Sequence, residues 1–132
     1  MDVGSPSNFQ RMMDLYGSDW GKIKSDITAY SFDDTQTIAG IKELHDQYNY
    51  IACPHTAVGW LGAKAFRATN PDYHVAFHGT AHASKFLDIV EDTLGQSVPI
   101  PEALSVLQNR QKHSIKMGIE FPDFKEYLMN KS

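Results

Sequence analysis

The sequence predicts an α/β fold, with a partial parallel sheet of two to three strands and helices flanking it. Three observations carry that expectation. Tyr50-Ile51-Ala52 and His74-Val75-Ala76-Phe77-His78 are rich in the β-branched and aromatic residues that suit strands. Each runs into a short turn and then a stretch with helical spacing of apolar residues. Strand, helix, strand, helix in succession is the signature of a parallel layer.

The elements follow in order. Ser5-Pro6-Ser7-Asn8 offers a helix start, because proline suits the first helical position and Ser7 with Gln10 has capping-box spacing. Phe9, Met12, Met13, Leu15 and Tyr16 then share a broad face, and Gly17 ends the helix. Trp20, Ile23 and Ile27 are spaced for a short second helix. Phe32-Asp33-Asp34-Thr35 supplies caps for a third, with Ile38, Ile41, Leu44 and His45 on one face up to about Tyr48. After the strand at 50–52, Pro54 opens a helix carrying Val58, Leu61, Ala65 and Phe66. Asn70-Pro71-Asp72 is a turn before the strand at 74–78. Gly79-Thr80-Ala81-His82 leads into a helix that buries Phe86, Ile89, Val90 and Leu94 and stops at Gly95. Pro99 and Pro101 break the chain before a short helix at 102–107, a weak strand signal at 114–117 and a terminal helix over 121–129.

Bulk properties narrow the function classes. The 132 residues suit a single domain, 1–132, able to bury about two thirds of its unfolded surface. Twelve Lys and Arg stand against sixteen Asp and Glu, a net charge of −4, so the electrostatic footprint of a nucleic-acid binder is missing. Cys53 has no second cysteine to pair with, which fits a reducing, cytoplasmic setting. No apolar stretch approaches the roughly 20 residues that span a membrane, and the start lacks the pattern of a signal peptide. A sheet of so few strands leaves open edges, which suggests a partner or homo-oligomer to cover them.

Ligands of open α/β sheets bind beyond the carboxyl ends of the strands, where helix N-termini present free N–H groups. Both strand-to-helix turns would lie on that edge. One brings His55 and Thr56, the other Thr80 and His82. The plainer alternatives are that Thr80 is a helix N-cap and that His55 and His82 are solvated helix-start residues. His74, His78 and His82 recur every four residues, yet four strand residues span roughly 13 Å, and a metal needs ligand nitrogens about 2 Å away. They are not a metal site on this reading. Cys53 near His55 suggests a cysteine hydrolase, but no oxyanion-hole motif or orienting acid accompanies it, so a small buried cysteine is the better reading. Walker, GxGxxG and GxSxG motifs are absent, as is any glycine-rich phosphate cradle.

Three segments in order carry a family resemblance. Met1-Asp2-Val3-Gly4-Ser5-Pro6-Ser7-Asn8, Pro54-His55-Thr56-Ala57-Val58-Gly59 and Gly79-Thr80-Ala81-His82 with Lys85-Phe86 resemble motifs of bacterial threonine synthases, and Pro99 to Leu104 echoes a downstream segment. The resemblance spans nearly the whole chain. It implies a fold-type II pyridoxal-phosphate architecture. It also implies a carbon–oxygen lyase that converts O-phosphohomoserine and water to threonine and phosphate. By the resemblance, the Thr80 hydroxyl meets the pyridine nitrogen of pyridoxal phosphate, and His82, His55 and Thr56 line the same pocket. A hydroxyl there tunes the ring more gently than a carboxylate, which would hold it protonated. Ser5, Cys53, Ala83 and Ser84 depart from the family pattern, and none of these touches Thr80.

In the family, the lysine that anchors the cofactor and the phosphate-binding glycine loop precede the matched region. The resemblance therefore implies a C-terminal portion, inactive alone, that partners the N-terminal part of threonine synthase and does not by itself retain the cofactor. The alternative is a freestanding ligand-binding or trans-complementing module without catalysis.

Overall fold

The computed structural model describes residues 6–107 and 110–130. Among them the chain forms seven α-helices and one 3-10 turn: α1 Phe9–Tyr16, α2 Trp20–Asp26, α3 Asp34–Tyr48, α4 Pro54–Thr69, the turn Ala83–Phe86, α5 Leu87–Leu94, α6 Glu102–Ser105 and α7 Phe121–Met129. The expected parallel sheet is not there, because no residue among those described is in a strand. At 74–78 the side chains do alternate: Val75 and Phe77 are half-buried while His74, Ala76 and His78 are exposed. A strand, however, is defined by its ladder, and this segment makes no backbone hydrogen bond to a neighbour among the described residues. The same holds for residues 114–117, while Tyr50 N donates to Leu44 O at 3.2 Å, a helix-end bond.

The coordinates divide into two compact units, Met1–Pro99 and Ile100–Ser132. The first is organised around α3, which packs on both α4 and α5. Its start is the best-made cap of the chain: Asp33 Oδ1 accepts from Gln36 N at 2.8 Å, and Gln36 Oε1 accepts from Asp33 N at 2.9 Å. The buried face is Thr37, Gly40, Ile41 and Leu44, one position round from the expected one, since Ile38 is 39% exposed. Gly40 is where α4 comes close. A Cβ there would lie 3.2 Å from Leu61 Cγ and Cδ1, so the missing side chain lets the two helices approach. Around α5, the cluster of Ala83, Val90 and Val98 is closed over by Ile51, Phe86, Leu87 and Leu94. Glu91 Oε1 accepts from Val98 N at 2.8 Å and holds the segment after Gly95 against the helix. Leu87 takes the place expected of Ile89, which faces outward.

Helix α1 starts later than the sequence suggests. Asn8 is its N-cap, without a side-chain cap bond. Gln10 donates to Asp14 instead of closing a box with Ser7. The first five residues of the Met1–Asn8 motif lie outside the described residues.

The second unit holds α6 and α7. None of its described residues is buried, and Ile119, Phe121 and Met129 are 99%, 72% and 69% exposed.

Candidate functional site

The two turns singled out in the sequence meet in the first unit. Helix α3 ends at Asn49, which adopts the left-handed conformation (φ 52°, ψ 37°) and reverses the chain. Ile51 to Cys53 then bring the chain to α4, whose first residue is Pro54. Thr56, in the first turn of α4, is buried, and its Oγ1 lies 3.2 Å from Cys53 Sγ. Beside it runs the Gly79–Ala81 turn: a Cβ on Gly79 would lie 3.9 Å from Thr56 Oγ1 and 3.0 Å from Tyr50 Oη.

Thr80 is exposed on that turn. It lines an open hollow of about 340 Å³ with Tyr50, Ile51, Gly79, Ala81 and His82. It is not a helix cap. That role belongs to His82, whose Nδ1 accepts from Ser84 N at 3.1 Å and lies 2.8 Å from Ser84 Oγ. A ring nitrogen that accepts from a backbone N–H carries no proton, so the neutral tautomer places its hydrogen on Nε2. His55 is exposed at the start of α4, its ring edge-on to Phe86 at 5.1 Å and 81°. It borders a second hollow of about 530 Å³ between the starts of α3 and α4, lined also by Tyr30, Asp33, Thr37, Pro54 and Val58.

Two links therefore join the Pro54–Gly59 motif to the Gly79–Phe86 motif: Thr56 under Gly79, and His55 against Phe86. Thr80 and His82 share one hollow, whereas His55 faces another and Thr56 is buried and lines neither. Cys53, 1% exposed, pairs with Thr56 and not with His55. Among the described residues no group of three or more His, Cys, Asp or Glu side chains comes together to hold a metal. None of their helices is long and apolar enough to cross a membrane.

Tyr50, expected only as part of a strand, lines the same hollow as Thr80. The signal that finds it is the bare Cα of Gly79, whose missing side chain leaves room for the phenol.

The hydroxyl of Thr80 is uncommitted among the described residues. It is a donor and acceptor at the rim of a hollow whose volume lies within the ordinary range of small-molecule sites.

Residues 56–127 match a family model described as threonine synthase, C-terminal. Threonine synthase of Escherichia coli is 32% identical over 132 residues, covering 98% of this chain and 29% of that protein. The enzyme of Serratia marcescens is 30% identical over 133 residues, with the same coverage. The crystal structure of threonine synthase from Escherichia coli superposes on all of this chain and 30% of its own, with a TM-score of 0.65 and 28% identity. The chain thus spans about three tenths of the length of the curated relatives it matches.

Proposed function

The chain belongs to the threonine synthase family, and we propose that its residues 50–86 form one wall of the pyridoxal-phosphate site of an enzyme that makes threonine and phosphate from O-phosphohomoserine and water. The family is pyridoxal-phosphate dependent, and the matched region is the C-terminal part of longer proteins. The observation that carries the reading is the uncommitted hydroxyl of Thr80 in a hollow lined by the Gly79–Ala83 turn with Tyr50 and Ile51, with Thr56 of the other motif behind Gly79.

The residues present suit the cofactor. A planar heteroaromatic ring needs an open slot and a hydrogen-bond donor for its nitrogen, and Thr80 offers that donor without a competing partner. When bound, pyridoxal phosphate supplies an electron-withdrawing ring to the substrate carbon next to it. Thr80 donates to the ring nitrogen and leaves it largely unprotonated. His82, oriented by Ser84, lines the same hollow. Thr56 supports the turn from beneath, and Phe86 holds the His55 ring. The lysine anchor and phosphate cradle belong to the preceding region of the full enzyme, which is the partner on this reading, in a cytoplasmic setting. These 132 residues alone do not complete catalysis.

Two measurements test this. In the full enzyme, Thr80→Val lowers activity about tenfold, the value of one well-placed hydrogen bond, and shifts the visible absorption of the bound cofactor, while Thr80→Ser retains both. Unchanged absorption and rate in Thr80→Val would remove Thr80 from the site. The isolated chain mixed with pyridoxal phosphate should show no stoichiometric visible band that survives dialysis. A surviving band mapped to one lysine would refute the partnership with an N-terminal part.

A further inference from the structure

We propose that Tyr50 is a further ligand-contacting residue of the Thr80 hollow, and that its phenol and the bare Cα of Gly79 together set how closely a bound ring approaches the turn. The inference rests on the reading of this hollow as a pyridoxal-phosphate site, and concerns a residue that the motifs do not include.

The backbone of Tyr50 is fixed from behind. Asn49 turns the chain out of α3, and Tyr50 N donates to Leu44 O at 3.2 Å, so its Cα is tied to the most buried helix of the unit. The side chain is free in front. It is 46% exposed, lines the hollow with Thr80, and its hydroxyl makes no hydrogen bond among the described residues. A structural tyrosine normally engages its hydroxyl or buries its ring; Tyr50 does neither. What it offers is an aromatic face and a donor–acceptor group, next to a second uncommitted hydroxyl, in one concave site. That pair suits a planar, polar-substituted heterocycle such as a phosphorylated pyridine.

Gly79 supports the same conclusion from the other side. Its bare Cα leaves room for the phenol: a Cβ would stand 3.0 Å from Tyr50 Oη, closer than carbon and oxygen normally approach. An alanine at 79 would make the phenol give by a few tenths of an ångström, and a longer side chain would displace it further. The two positions are therefore coupled, and the coupling runs through the hydroxyl oxygen alone.

The test uses the holoenzyme reconstituted with pyridoxal phosphate, with Thr80→Val as the reference variant. Three quantities are read: the dissociation constant of the cofactor, the position of its visible absorption band, and Tm. Tyr50→Phe should weaken cofactor binding about threefold to tenfold, the range for one lost hydrogen bond, and move the band. Its Tm should stay at the wild-type value, because the hydroxyl holds no intramolecular bond. Gly79→Ala should weaken binding less than Tyr50→Phe does, and part of that loss should vanish in Gly79→Ala/Tyr50→Phe, a non-additivity expected of residues in contact. If Thr80→Val shifts the band and Tyr50→Phe shifts neither band nor affinity, the role of Tyr50 is overturned and the reading of the hollow stands. If neither variant changes either quantity, the hollow is not the cofactor site and both fall.

Discussion

Ile41 in α3 and Ile119 ahead of α7 are the same residue type in opposite circumstances, 0% and 99% exposed. The contrast extends to the units that contain them. In Met1–Pro99, α3, α4 and α5 bury side chains against one another, and tight spots such as Gly40 are complementary to their neighbours. In Ile100–Ser132, Leu104, Ile115, Ile119, Phe121 and Phe124 all face solvent. Within the first unit α3 has facing helices, whereas within the second α6 and α7 bury no residue. Amphipathic spacing specifies a face to be covered, and only packing makes it stabilising.

Three pairs of substitutions would break or sharpen this comparison. The largest effect is expected from Ile41→Ala, which should cost about 2–5 kcal/mol in chemical denaturation, as for other fully buried aliphatic residues. Ile119→Ala should stay within about 0.5 kcal/mol, as exposed positions do. Equal effects would mean that Ile119 is covered in solution. Next comes Gly40→Ala, where the new methyl meets Leu61 between two packed helices; overpacking of this kind costs about 1–3 kcal/mol. Gly118→Ala meets only the Asp123 carboxylate, which can rotate away, so a shift in Tm within error is expected there. The smallest pair concerns helix starts. Asp33→Ala removes the side-chain half of a capping box and should cost about 1 kcal/mol. Glu120→Ala removes a cap residue whose side chain makes no cap bond, and should leave the helical circular dichroism of α7 unchanged.

The helices were legible because their signals are local. Asp33, Pro54, Gly17 and Gly95 mark ends by backbone geometry and capping chemistry, which depend on residues three or four positions away. The strands were not legible in the same sense. Val75 and Phe77 do alternate with exposed neighbours, but alternation states which side chains point inward and says nothing of whether a ladder partner is present. Thr80 and His82 were recognisable as one turn, and they line one hollow. Which of them caps the next element was not legible, because Ala83–Phe86 begins as a 3-10 turn and shifts the cap by two residues. Thr56 and His55 are neighbours in one motif, yet they point to different places because successive residues at a helix start diverge by about 100°. Tyr50 escaped because its position depends on Asn49 reversing the chain and on Gly79 lacking a side chain, a meeting across nearly thirty residues.

Cys53 is the sole thiol of the chain, sealed at 1% exposure beside Thr56 at the point where α4 begins. A reagent in solution can reach it only when the structure around the start of α4 opens. The rate at which the folded protein is labelled by a thiol reagent therefore clocks that opening against the unfolding of the whole unit. Under the proposed function, the same clock should slow when the neighbouring hollow is filled. The molecule thus carries a one-atom stopwatch for its own site, readable by mass alone.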